Sequence, residues 1–73
     1  MASSRIGVRL GKRIRELRKA KGWRQIDLAQ HCGVKEVHLS YLERGLREPG
    51  FNVLVNIAKG LGVKLSDLIR DVE

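Results

Sequence analysis

Apolar residues recur along this chain at spacings of three and four, the period of helices that bury one stripe. Ile6, Leu10, Ile14 and Leu17 form the first such stripe, with cations on the other faces. Gly7 and Gly11 weaken its start, so the firm helix is expected from near Leu10, and Gly22 ends it. Leu28, Ala29 and Cys32 make a second stripe over Arg24 to Cys32, closed by Gly33. Leu39 and Leu42 make a third over Lys35 to Arg44, ended by Gly45. Pro49 and Gly50 mark a loop. Phe51, Leu54, Ile57, Ala58 and Leu61 then align on a fourth helix, stopped by Gly62. Val63, Leu65, Leu68 and Ile69 describe a last short one, opened by Lys64 or Ser66. No strand pattern and no repeat interrupts the series. The fold class is all-α, with five short helices.

The second and third stripes are the informative pair. Gln25 to Arg44 reads as two helices folded over Gly33, with Ala29 small enough for close approach and Val34 pointing inward. A glycine adopts the left-handed backbone angle such a corner needs. Two helices joined so tightly make a helix-turn-helix, whose second helix lies in the DNA major groove.

Charge strengthens that reading. Fifteen Lys and Arg against eight Asp and Glu give a net charge of +7. Arg5, Arg9, Lys12, Arg13, Arg15, Arg18, Lys19, Lys21 and Arg24 crowd the first third, opposed there only by Glu16. Such asymmetry points to a polyanion. A basic amphipathic helix also suits an anionic membrane, but here the stripe is narrow and the later helices need it as a core partner. Lys12, Arg13, Lys19 and Lys21 are expected to attract DNA at long range without making fixed contacts.

Length and composition set the remaining bounds. Seventy-three residues make one domain, which buries roughly 60% of the surface its unfolded chain exposes. Met1 to Ser4 are expected to fray, although Ser4 is a candidate helix cap. No apolar run approaches the roughly 20 residues of a membrane span, and MASSRIG lacks the apolar centre of a signal peptide. The single cysteine rules out an internal disulfide and fits a reducing cytoplasm. His31, Cys32 and His38 fall short of the four paired ligands of a structural zinc site. Cys32 has a core position and is expected as a buried thiol. Trp23 is expected as a core plug beneath the first corner. No nucleophile and base pairing and no phosphate loop is visible, so neither enzyme activity, cofactor nor small-molecule ligand is expected.

From about Leu10 to Ile69 the chain resembles the lambda repressor-like helix-turn-helix domains of phage repressors, Cro proteins, restriction-modification controllers and their bacterial relatives. The resemblance rests on RELRKAKG closing helix one, Gln25 opening helix two, LAQ at 28–30, GV at 33–34, LERG at 42–45, and IAKGLGV followed by LSDLI. It implies a compact five-helix bundle that binds an operator, usually as a homodimer. It also implies a structural ion pair of Arg18 with Glu43, base readout from Glu36, Val37, Ser40 and Tyr41 with Lys35 at the entry, and phosphate contacts from Gln25 and Arg44. Lys35 departs from the Ser or Thr usual in relatives, losing a cap of about 1 kcal/mol and placing a cation at the groove. Arg24 adjoins Gln25, and Asn52 is expected to face the same strand. Leu46, Val53 and Val55 lack an evident core position and suggest a dimer patch. Two-fold pairing sets the recognition helices roughly 34 Å apart on an inverted repeat. Because the chain ends after the fifth helix, control through its own concentration is expected. The competing expectation is a protein-interaction adaptor that keeps the fold without reading DNA sequence.

Overall fold

The computed structural model describes residues 5–70. The expected fraying of Met1 to Ser4 and the Ser4 cap lie outside these residues. Five helices follow in order: α1 Arg5–Ala20, α2 Gln25–Cys32, α3 Glu36–Glu43, α4 Phe51–Leu61 and α5 Leu65–Leu68. No strand occurs among the described residues. No helix among them is long and apolar enough to cross a membrane.

The corners share one construction. Gly22, Gly33, Gly45 and Gly62 all have φ between 71° and 73°. After each, the next amide donates to the carbonyl five residues back: Trp23 to Arg18, Val34 to Ala29, Leu46 to Tyr41 and Val63 to Ala58. This closure satisfies carbonyls a helix end leaves open, and it turns the following side chain back toward the bundle. Trp23, Val34 and Val63 accordingly pack against the core. Leu46 is the exception, 47% exposed.

The core gathers one stripe from every helix. Ile14, Leu28, Leu39, Leu42, Ile57, Leu61 and Leu68 are fully buried. Each such side chain contributes about 1.5–3 kcal/mol relative to an exposed one, so these seven form the principal favourable term in a small fold. Arg13 ties α1 to the C-terminal helix, donating from Nε and Nη2 to the Asp67 carbonyl at 3.3 and 3.0 Å. It is a fixed contact, in contrast to the long-range role expected from its charge.

Several expectations need correction. α1 begins at Arg5, well before Leu10. Gly7 and Gly11 are buried, and Gly11 sits where α1 meets the backbone of α3. Ile6, Phe51 and Ile69, expected on core stripes, are 53%, 70% and 43% exposed. They lie at or beyond helix ends, where the periodicity still points inward but no neighbouring helix reaches far enough to cover them. Ile6 and Ile69 instead border an open apolar groove of about 440 Å³ together with Leu10, Pro49 and Leu54. Val53, expected off the core face, packs against the core. Its place four residues before Ile57 and eight before Leu61 puts it on their ridge. Trp23 is only half-buried: its ring stacks on His31 at 4.3 Å and 3°, and the Lys21 ammonium lies 4.9 Å from its centroid. It shields the corner and does not fill the interior.

Candidate nucleic-acid interface

α2 and α3 are fixed to one another by their apolar faces and to α1 by an ion pair. Leu28, Ala29 and Cys32 from α2 meet Leu39 and Leu42 from α3 in the common core. Behind them Arg18 of α1 and Glu43 of α3 are buried, at 7% and 8% exposure. Arg18 donates from Nε to Glu43 Oε2 at 2.8 Å and from Nη2 to Oε1 at 3.0 Å, and from Nη1 to the Trp23 carbonyl at 2.7 Å. Glu43 Oε1 also accepts from Gln25 Nε2 at 3.1 Å. Charges leave water at a high cost, which this bidentate geometry and the extra donors offset. The result locks the start of α2 and the end of α3 onto α1.

With Leu39 and Leu42 turned inward, the other side of α3 faces solvent. Lys35 precedes the helix with its side chain making no capping bond, and Glu36 stands in the first turn. Lys35, Glu36 and Val37 are exposed, whereas Ser40 and Tyr41 are half-buried. These five residues make a ledge with one acid, one base, one apolar side chain and two hydroxyls. Such a set offers a donor or acceptor to several base edges and a packing surface to a thymine methyl.

A polar recess of about 250 Å³ lies beside the ledge, lined by Arg15, Arg18, Gln25, Ser40, Glu43 and Arg44. It joins Gln25 and Arg44, expected at phosphates, with Ser40 of the ledge. Gln25 spends its amide on Glu43, which fixes the side chain at the first turn of α2, where backbone N–H groups face outward. Arg15 was not singled out from the sequence. Its place three residues before Arg18, on the same side of α1, is the signal that would have found it. Arg24 and Asn52 stand apart from the recess. Arg24 is exposed and engaged with Asp27, donating from its backbone amide at 2.8 Å, from Nε at 3.2 Å and from Nη2 at 3.1 Å. Hydrogen bonding to Arg24 holds the Asp27 carboxyl below its usual range, and the same contact raises the Arg24 pKa. Asn52 is exposed in the first turn of α4.

At the far end of α3 the Tyr41 ring carries two guanidiniums, Arg44 at 5.4 Å and Arg47 at 5.7 Å from its centroid. Arg47 follows the left-handed turn at Gly45, so sequence spacing alone did not bring it to Tyr41. Two of the three residues considered for metal have other surroundings. His31 stacks on Trp23, and Cys32 is buried with its thiol pushed up to about 11 by desolvation. No group of three or more His, Cys, Asp or Glu suited to a metal ion occurs among the described residues. Of the expected dimer residues, Leu46 is exposed and Val55 half-buried, while Val53 belongs partly to the core.

Comparison with known proteins places this arrangement. The helix-turn-helix family model HTH_3 matches residues 14–68. An uncharacterized HTH-type transcriptional regulator of Mycobacterium tuberculosis is 43% identical over 53 residues, covering 73% of this chain and 21% of that protein. The chain thus spans about a fifth of the length of that relative. The crystal structure of the restriction-modification controller protein C.AhdI from Aeromonas hydrophila superposes with a TM-score of 0.82 at 34% identity, covering 84% of this chain and 92% of that one. SinR, a master regulator of biofilm formation solved in complex with DNA, gives a TM-score of 0.76 at 35% identity over 81% of this chain and 95% of that one. The family consists of DNA-binding regulators and not of enzymes. The chain belongs to the HTH_3 family of lambda repressor-like helix-turn-helix transcriptional regulators.

Proposed function

We propose that this protein is a sequence-specific DNA-binding transcriptional regulator that binds an inverted-repeat operator as a homodimer, with α3 in the major groove. The observation that carries this reading is the juxtaposition of the α3 ledge with the Arg15, Gln25 and Arg44 recess. Base edges are read in the groove, and phosphate contacts fix the register from which they are read. Lys35, Glu36, Val37 and Ser40 meet bases, and Tyr41 shares their face. Gln25 and Arg44 meet one strand's phosphates, flanked by Arg24 and Asn52. Arg18 and Glu43 shape the site without touching DNA.

Dimerisation through the region of α4 and the loop before it agrees with the apolar side chains exposed there. Leu46 in the loop and Phe51 at the start of α4 stand in solvent, and Val55 is half-buried on α4. A two-fold pairing covers the same patch on both copies. The C.AhdI controller and the DNA-bound SinR structure, both similar over most of the chain, support the assignment by family.

Selection of bound sequences from a random duplex pool tests binding, preference and symmetry together. An inverted repeat, retained over a scrambled duplex as salt rises, is the expected result. Enrichment of no sequence, with all binding lost steeply in salt, identifies a basic adaptor and overturns the reading.

A further inference from the structure

We propose that Tyr41 is a positioning residue, whose ring holds Arg44 and Arg47 together as a paired cationic clamp for the DNA backbone. This rests on the DNA-binding reading above and deepens it. The ring centroid lies within 6 Å of both guanidinium carbons, at 5.4 and 5.7 Å, which is the range in which an aromatic face attracts a cation. Two like charges gathered on one ring repel each other, and an anion set between them relieves that repulsion. Arg44 also lines the recess that contains Gln25 and Arg15. The clamp therefore continues the phosphate-facing surface from the start of α2 to the end of α3. Arginine carries many rotamers in solution, and a guanidinium already resting on a ring has less freedom to lose when it meets a phosphate. Tyr41 itself is half-buried on α3, with Leu46 donating its amide to the Tyr41 carbonyl. The turn that brings Arg47 back is thereby closed on the same residue that receives it. The function of Tyr41 lies in its ring, and its hydroxyl is dispensable.

The test is a salt titration of two duplexes, the sequence recovered by pool selection and a scrambled version, against the intact protein and five variants, the Arg44→Ala with Arg47→Ala double among them. Tyr41→Phe keeps the ring and is expected to retain both affinities and the salt slope. Tyr41→Leu is expected to weaken both duplexes alike, by about three- to tenfold. Arg47→Ala is expected to lower the salt slope by about one phosphate without changing the preference between duplexes. Tyr41→Leu added to Arg44→Ala with Arg47→Ala is expected to cost nothing further. The proposal is overturned if Tyr41→Phe loses the preference for the selected sequence, which would assign base reading to the hydroxyl. It is overturned also if Arg47→Ala leaves the slope unchanged, or if a folded Tyr41→Leu binds as the parent does. Should Tyr41→Leu not fold, the Phe and Arg47 variants still decide. Failure of the unaltered protein to bind either duplex overturns both this inference and the function on which it rests, whereas unchanged variants of a binding protein overturn the inference alone.

Discussion

A Cβ placed on Gly11 would lie 2.2 Å from the carbonyl oxygen of Leu42 and 2.8 Å from that of Glu43. The backbones of α1 and α3 are therefore in direct contact at the residue beside the buried ion pair. Reciprocally, a Cβ on Gly45 would lie 2.8 Å from the Val8 Cα. Gly11→Ala removes a helix-interior glycine, a gain of about 1 kcal/mol elsewhere. Here the methyl group meets backbone that cannot rotate away, and overpacking of this kind costs about 1–3 kcal/mol. The net effect is a loss of stability, read as a lower urea midpoint at unchanged slope. It is accompanied by weaker DNA binding, because α3 must shift away from α1. A stabilised Gly11→Ala would show that the close crossing is wrong.

Arg18 and Glu43 make a second prediction. Removing one member strands the other charge in a buried site, at a cost of about 3–5 kcal/mol. Small domains have a total stability of only about 5–15 kcal/mol. Glu43→Ala, which removes the carboxylate that accepts from both Arg18 and Gln25, is expected to leave a domain that is barely folded. Arg18→Met with Glu43→Leu removes both charges and is expected to recover more than half of the loss. Chemical denaturation of the three proteins settles it: a Glu43→Ala variant within 1 kcal/mol of the parent, roughly the value of an exposed pair, would contradict the burial.

The first four helices were legible because a glycine follows each of them and an apolar stripe runs along each at spacings of three and four. The bounds of α4, Phe51 to Leu61, follow directly from the Gly50 and Gly62 that flank it. What periodicity did not convey is distance to the neighbour. It aims Ile6, Phe51 and Ile69 inward without saying that the bundle stops short of them. It assigned Gly11 to weakness, since nothing local distinguishes a helix-breaking glycine from one that admits another backbone. Gly60 is a similar case, as a Cβ there would lie 2.8 Å from Cys32 Sγ. At the candidate site the ledge of α3 followed from the inward turn of Leu39 and Leu42. Arg47 did not, since its place beside Tyr41 depends on where the chain returns after Gly45, and Arg15 was marked only by its spacing from Arg18.

Cys32 gives a prediction in pH. Its thiol is buried against α4, and desolvation raises its pKa to about 11. An unfolded thiol titrates near 8.5. A group held neutral in this way contributes stability fully below the unfolded value and loses it as pH rises toward the folded one. Stability of the parent should therefore fall between about pH 8.5 and 11 more steeply than that of Cys32→Ala. At pH 8 the native thiol should react with a disulfide reagent only as fast as the domain opens, and at full rate in denaturant. Rapid labelling of the folded protein would place the thiol at the surface.

Asp27 gives a prediction that links stability to DNA binding. Its carboxyl is held below the usual range by hydrogen bonds from Arg24, so the pair's contribution is present above the ordinary carboxylate range and vanishes as pH falls through the lowered value. The pair is exposed, and its effect on folding is accordingly small. Its effect on binding should be larger. While Arg24 is engaged with Asp27 through Nε and Nη2, its charge is partly cancelled at the entry to α2. Asp27→Asn leaves an acceptor for the Arg24 backbone amide, frees the guanidinium and removes a negative charge from the face proposed to meet phosphates. Affinity for any duplex should rise at low salt, with the salt slope steepening by about one phosphate, and the preference among sequences should not change. Arg24→Ala in the same background should return the slope to the parental value. A slope that ignores both changes would mean that Arg24 does not reach the DNA backbone at all, leaving Gln25 and Arg44 to anchor α2 and α3.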